Sequence, residues 1–253
     1  NGGTIERASV KGTITFQNQR SGNYYVGGIT GENRGTILKC FTEGEIVSDG
    51  LAKTGGIVGT NWQGTVRLCY NLATISGSPT GNSRTGGIAA SVIDTSGKIQ
   101  SCYNYGKIER SGGTAVGAIY GYKSGAGTIS NCYYLNTSCR QAWPSNVTGR
   151  MIAEEFASAK AAYYLNSNGG KGINTCEWSQ KDGLPVWADD ENKAVIRVTV
   201  RQDAENSYQA SLNSVAEGEF YAKGGTEAEL QIEEDAPGYL RTSVQVSELA
   251  HSD

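Results

Sequence analysis

The sequence predicts an all-β chain: a β-helix or β-solenoid of about four to five coils, then a short helical plug, then a small C-terminal β-module. Three observations predict it. A glycine–glycine–isoleucine motif recurs about every 30 residues, and a second motif containing cysteine and an aromatic residue follows each copy. Glycine reaches 35 of 253 residues, against 4 prolines and 1 methionine, and each interior glycine costs a helix about 1 kcal/mol. Short β-branched runs recur between the glycines, so the chain is not disordered.

The first motif reads VGGITG from Val26, TGGIVG from Thr54, TGGIAA from Thr85 and VGAIYG from Val116. Its isoleucines, Ile29, Ile57, Ile88 and Ile119, are spaced 28, 31 and 31 residues apart. The second motif reads GTILKCFTEGEI from Gly35, GTVRLCYNLATI from Gly64, GKIQSCYNYGKI from Gly97 and GTISNCYYLNTS from Gly127; GTIERASVKGTI from Gly3 is a degenerate copy. Four columns emerge. A β-branched anchor runs Ile5, Ile37, Val66, Ile99, Ile129, and a small residue runs Ala8, Cys40, Cys69, Cys102, Cys132. An aromatic runs Phe41, Tyr70, Tyr103, Tyr133, and a second isoleucine runs Ile14, Ile46, Ile75, Ile108. Gly12, Gly44, Ala73, Gly106 and Asn136 lie between the last two and mark the expected bend of each coil, since glycine and asparagine tolerate positive φ.

One copy is too small to bury its own apolar residues, whereas stacking sets like on like about 4.8 Å apart. The glycine pairs then let neighbouring backbones pass closely. TGGIVG also has the look of a phosphate-gripping loop, but no Gly-Lys-Ser/Thr follows it and no helix begins there.

These columns, on GGIVG, CYN and the trailing G-x-I, resemble the GLUG repeats of bacterial surface and secreted proteins over roughly residues 3 to 136. The resemblance implies a right-handed β-helix or related β-solenoid, exported or cell-surface, and not itself catalytic. Some bacterial immunoglobulin A peptidases carry such repeats outside their catalytic parts. The solenoid is expected to span 1–148.

A helix-containing plug is expected over 149–192. In RMIAEEFASAKAAYYLN, Ile152, Phe156, Ala159 and Tyr163 fall at helical spacing. The plug would cover the edge of the last coil, with Trp178 and LPVWADD completing it. Beyond it, 193–253 reads as alternating strands: AVIRVTV, YQASLN, EFYAKGG, AELQIEE and TSVQVSE. GGTEAELQIEEDAPGYLRTSVQV is similar to a bacterial surface-repeat pattern, and an immunoglobulin-like stalk is the alternative.

The candidate chemistry is sparse. The single histidine, His251, lies three residues from the end, which leaves no histidine for a Ser-His-Asp triad or a zinc site within the repeats. Glu6, Glu32, Glu43, Glu45 and Glu109 fall in different columns and read as solvated turns. No cofactor is expected. Asp189, Asp190 and Glu191 form the densest acidic run and are the weak calcium candidates, without EF-hand spacing.

The column cysteines Cys40, Cys69, Cys102 and Cys132 read as small inward residues, because in-register Cβ atoms sit further apart than a disulfide prefers. Cys139 and Cys176, outside the column, either bridge the plug to the solenoid or stay as two buried thiols. The glycosylation patterns at Asn136 and Asn146 read as coincidence in a bacterial chain.

Trp62 and, as its expected equivalents in later coils, Tyr120 and Tyr122, together with Tyr24 and Tyr25, are the candidate ligand-binding residues, since aromatics on a flat face suit glycan stacking or protein contact. They equally suit packing between coils. Net charge is −3 with no basic block, which argues against nucleic acid, and no apolar run is long enough for membrane insertion. NGGTIERASV lacks signal-peptide character, and the first repeat starts part-way through, so the chain reads as part of a longer exported protein with further domains. The function expected is non-catalytic: an adhesin-like or structural surface protein contacting host extracellular protein or glycan. The alternative is an accessory region, spacer or substrate-binding, of a secreted peptidase or polysaccharide-degrading enzyme.

Overall fold

The computed structural model describes residues 1–17, 22–110, 115–139, 149–171, 175–189, 191–200, 209–213, 215, 218–224 and 230–233. It divides into two compact units, Asn1–Glu154 with Ser167–Ile173, and Glu155–Asn166 with Asn174–Asp253.

The first unit is a β-solenoid of parallel rungs. Each coil visits four sheets in turn. The first sheet stacks Thr4–Glu6, Thr36–Leu38, Thr65–Arg67, Lys98–Gln100 and Thr128–Ser130, all parallel. Its register pairs Ile5 with Ile37, then Val66, Ile99 and Ile129, which is the anchor column read from the sequence. The second sheet carries Ser9–Phe16, Phe41–Ser48, Tyr70–Asn71, Thr74–Ser76, Tyr103–Asn104 and Tyr133–Leu135, and Arg150–Met151 forms its last rung. Ile14, Ile46, Ile75 and Ile108 stack along it. The third sheet holds Tyr24–Gly27, Ala52–Gly55, Arg84–Gly86 and Ala115–Gly117; the fourth holds Thr30–Asn33, Val58–Asn61, Ala89–Val92 and Tyr120–Lys123.

Two apolar clusters fill the interior. One joins the anchor residues and the cysteines to Ile57, Ile88 and Ile119, with Ile29 packed against it; the other joins Ile46, Ile75 and Ile108 to Val26, Ala52 and Ala73. Towards the ends of the stack Ile5, Ile29 and Ile129 are only partly covered, although Cys132 in the last coil is fully buried.

Cys40, Cys69, Cys102 and Cys132 are buried thiols and do more than fill space. Each sulfur lies 3.2 Å from the carbonyl oxygen two residues before it, on Leu38, Arg67, Gln100 and Ser130. The backbone N–H groups of Cys40 and Cys69 donate to the next sulfur up, Cys69 and Cys102, at 3.4 Å. Thiol and backbone thus satisfy each other where the corner opens a gap in the ladder. Burial pushes the thiols of Cys69, Cys102 and Cys132 above their ordinary range.

That corner is not where the glycines place it. Only Gly12 and Gly44 of the expected bend column have positive φ, 118° and 108°. The position with positive φ in every coil is the residue before the small column: Arg7 (54°), Lys39 (49°), Leu68 (54°), Ser101 (50°) and Asn131 (51°). A left-handed L-residue costs roughly 1–2 kcal/mol, which one position per coil sustains when the rungs on either side are fixed. None of the five is β-branched, the class for which this conformation is worst.

Asparagines add two further ladders. Asn33 Nδ2 donates to Asn61 Oδ1 at 2.9 Å, and Asn1 Nδ2 to Asn33 Oδ1 at 3.0 Å. On the second sheet Asn71 Nδ2 donates to Asn104 Oδ1 at 2.8 Å and to the carbonyl of Ala73 at 3.0 Å. The rings of Phe41, Tyr70 and Tyr103 stack at 4.8 and 5.0 Å, nearly parallel.

The glycine motif is explained by contact. A Cβ on Gly56 would fall on the carbonyl oxygen of Gly87 and on the amide of Asn71, and one on Gly87 would fall on the Ala118 carbonyl and Asn104. Backbone and asparagine ladder occupy the space of a side chain.

In the second unit the expected single helix is two. Helix α1, Ala153–Ala157, begins at the end of the first unit, and α2 is Lys160–Ser167; Ala159 between them has φ 63°, which ends α1. Each half buries its own apolar residues: Phe156 in α1, and Ala161, Ala162 and Leu165 in α2. Ile152, placed on the helix's inner stripe by spacing, is 46% exposed. Gln180 Nε2 donates to the orphan carbonyl of Phe156 at 2.8 Å. Trp178–Lys181 and Leu184–Trp187 form a hairpin about Asp182 and Gly183, both at positive φ, as a two-residue Asp-Gly turn requires. Asn166 clamps this hairpin, accepting from Trp178 N–H and donating to Trp178 O, each at 2.8 Å. Val195–Val200 pairs antiparallel with Gly218–Lys223, and Gln209–Leu212 with Leu230–Glu233. TSVQVSE and His251 lie outside the described residues.

Candidate binding face

The third and fourth sheets meet through glycine. A Cβ on Gly55 would fall on the Val58 carbonyl, and one on Gly59 would lie 2.7 Å from Val26 N. Thr54, between Lys53 and Gly55, turns inward, where its hydroxyl donates to Ser48 Oγ at 2.9 Å. Alternation along the strand therefore turns its neighbours outward. The outward register on the third sheet runs Tyr25, Lys53, Arg84, Ala115. On the fourth sheet Glu32, Thr60, Ser91 and Tyr122 share a register.

Each of three candidate aromatics is covered by a cation. Lys53 Nζ sits 4.9 Å from the centre of the Tyr25 ring, Arg84 Cζ 3.6 Å from Tyr122, and Arg34 Cζ 4.9 Å from Trp62. Arg34 also meets Glu32 at 2.7 Å, so its charge is balanced. Lys53 donates to Asn23 Oδ1 at 3.0 Å and Arg84 Nη1 to Ser91 Oγ at 3.4 Å; among the described residues no carboxylate pairs with either. Partial burial, then the neighbouring Arg84, lowers the Lys53 ammonium from its ordinary range.

Two candidates do not belong to this face. Tyr120 is 6% exposed and part of the apolar interior, in register with Ala89 and Val58 of the coils before it. Tyr24 packs on Phe16 with ring centres 5.4 Å apart, beside the second apolar cluster. Nor do Tyr120 and Tyr122 repeat the position of Trp62: Tyr122 is in register with Thr60, two residues before Trp62. Period-two alternation separates Tyr24 from Tyr25, whereas Tyr120 and Tyr122, two residues apart, differ in burial against that alternation.

Lys53 and Arg84 are absent from the residues singled out by sequence. The signal was available: KTGGI and RTGGI place both immediately before the same motif in successive coils. Arg110 was also missed. It is 6% exposed beneath the third sheet, its Nη1 donating to Thr85 Oγ1 at 2.9 Å, while its Nε and Nη2 reach no acceptor among the described residues. Burial lowers its pKa to about 10 against the opposing field of Asp49.

The remaining candidates are placed as follows. Asp189 accepts from the backbone N–H of Glu191 at 3.0 Å and of Asn192 at 2.6 Å, so its carboxylate organises a turn; Asp190 lies outside the described residues. Among the described residues no group of three His, Cys, Asp or Glu gathers to hold a metal ion. Glu6 lies beside Arg7, Glu43 beside Lys11 at 2.9 Å, and Glu45 accepts from Ser76 Oγ at 2.9 Å. Cys139 and Cys176 are both thiols, and Cys139 packs against both apolar clusters of the solenoid. Asn136 donates its N–H to Met151 O at 2.8 Å; Asn146 lies outside the described residues. No described helix is long and apolar enough to cross a membrane. Compared with known proteins, the chain matches no family model, no curated protein and no solved structure.

Proposed function

We propose that the chain is a non-catalytic display region of an exported bacterial surface or secreted protein, of the GLUG-repeat kind, that holds a rigid solenoid face against host protein or glycan. The observation that carries this is the separation of roles within each coil. Inward positions are constrained by ladders of cysteine, asparagine, isoleucine and glycine, while the outward register reads Tyr25, Lys53, Arg84, Ala115 without repetition. A scaffold that repeats inside and varies outside suits recognition. The scattering of Glu6, Glu32 and Glu43 over three sheets, each beside a cation, supports a non-catalytic role.

The test is a binding screen of the intact chain against neutral and acidic glycans and extracellular-matrix proteins, with Tyr122→Ala and Trp62→Ala as probes. The proposal expects at least one ligand whose binding falls in one of the two variants. Absence of any ligand reduces the chain to a passive spacer.

A further inference from the structure

We infer that Lys53 and Arg84, flanked by Tyr25 and Tyr122, form a binding site for an acidic sugar chain, with successive carboxylates or sulfates each meeting one of the two cations while its rings lie against the exposed parts of the tyrosines. The inference rests on the surface-display reading above and specifies its ligand.

Four observations carry it. Lys53 and Arg84 are register partners on adjacent parallel rungs, a spacing of about 4.8 Å between backbones. Their heads diverge: Lys53 leans one coil down onto Tyr25, and Arg84 leans one coil up onto Tyr122. Two like charges so placed repel, and no described carboxylate stands between them to relieve it, although Glu32 lies one register step along the face and is held by Arg34. An acidic chain laid along the two heads meets donors of complementary kind, a guanidinium that binds an oxyanion in bidentate fashion and an ammonium that acts as a point charge.

Beneath the same strand, the buried Arg110, its charge partly offset by Asp49, donates to Thr85, next to Arg84 in sequence. Low-dielectric protein between them transmits that field to the face. The flanking rings define the rest of the ligand. Tyr122 is 37% exposed and Tyr25 half-buried, one coil beyond each cation, so a chain of sugar rings that crosses from the third sheet to the fourth meets aromatic, cation, cation, aromatic. A simple phosphate ion would use the cations and leave the tyrosines idle.

The experiment titrates the intact chain with a uronate oligosaccharide, a sulfated oligosaccharide and a neutral oligosaccharide of equal length. Lys53→Gln, Arg84→Gln, the double variant and the exposed control Lys98→Gln on the first sheet are compared, with circular dichroism confirming each fold. The inference expects binding of an acidic oligosaccharide, weakened about tenfold by each single change and further by both, little altered by Lys98→Gln, and falling as salt rises from 50 to 500 mM by about fivefold or more. Which acidic polymer binds distinguishes carboxylate from sulfate. Equal losses from Lys98→Gln and Lys53→Gln would mean diffuse charge attraction and overturn the site. Binding only to neutral glycan or to protein overturns this site and leaves the display role standing, whereas no binding to anything removes both.

Discussion

In the solenoid, the amide of Asn71 donates to the amide of Asn104 one coil above it, and the same residue type answers itself. In the C-terminal unit, Asn166 has no such counterpart and instead closes on both backbone groups of Trp178, twelve residues away in sequence. Both asparagines are buried, and both satisfy backbone that a strand ladder leaves open. The difference lies in how the solution is specified. A repeated rung needs only that each coil match its neighbour, whereas the hairpin clamp needs one residue at one position. The solenoid therefore spreads its stability over many equivalent contacts, and the second unit concentrates it in a few around Trp178 and Phe156.

Four measurements break or sharpen that contrast. The largest effect is expected at Gly56. Gly56→Ala puts a Cβ onto the Gly87 carbonyl and Asn71, with backbone on one side and the asparagine ladder on the other, and should cost about 3 kcal/mol or more in urea unfolding of the solenoid. Gly183→Ala, in the hairpin turn with open space around it, should cost only the strain of its φ of 78°, about 1 kcal/mol. Equal costs at the two sites would refute the close-contact account.

Next, Asn166→Ala removes three hydrogen bonds and leaves the Trp178 backbone N–H and C=O buried without them, a loss of about 2–3 kcal/mol. It should lower the melting of the second unit while the solenoid transition stays fixed. Asn71→Ala should do the reverse. A single transition shifted by both variants would show that the units unfold as one.

The third concerns pH. Thiols of Cys69, Cys102 and Cys132 and the phenols of Tyr70 (pushed up to about 12) and Tyr103 are held protonated by burial. Their folded-state pKa values exceed the unfolded ones, so the unfolded chain releases protons first. Their contribution is fully present below about pH 8.5, the ordinary thiol value, and is lost as pH rises beyond it. From these groups, thermal melts should show the solenoid losing stability between about pH 8.5 and pH 10. A melting temperature unchanged at pH 10 would argue that these groups titrate alike folded and unfolded.

The smallest effect is a gain. Lys39→Asn places at a left-handed corner the residue already found there as Asn131, and should stabilise the solenoid by about 0.5 kcal/mol, as relief of backbone strain would.

Much of the solenoid was legible because its side chains are read in register. Ile5, Ile37, Val66, Ile99 and Ile129 line up in the sequence for the same reason that they pair in the sheet: one coil offers the next an identical surface. The corner was not legible. Arg, Lys, Leu, Ser and Asn share no composition, and one strained residue per coil is too small a term to impose any. Gly12 and Gly44 drew attention instead, although in later coils Ala73 and Gly106 occupy that position without positive φ. The break at Ala159 was hidden likewise, since alanine is the best helix former and only the fold around it bends the chain there. On the binding face the sequence pointed to aromatics, and the structure supplies the cations that cover them.

The rungs of the solenoid also set how it answers a pull. Its hydrogen bonds run between coils, and the chain enters at one end of the pile, at Asn1, and leaves the second sheet at Met151, on its last rung. Tension between those points loads the coils in series, so they peel singly from whichever end is weaker. Each lets out about 30 residues, roughly 100 Å of slack, before the next is loaded. Such a stack yields by instalments and keeps the remaining face intact while it lengthens.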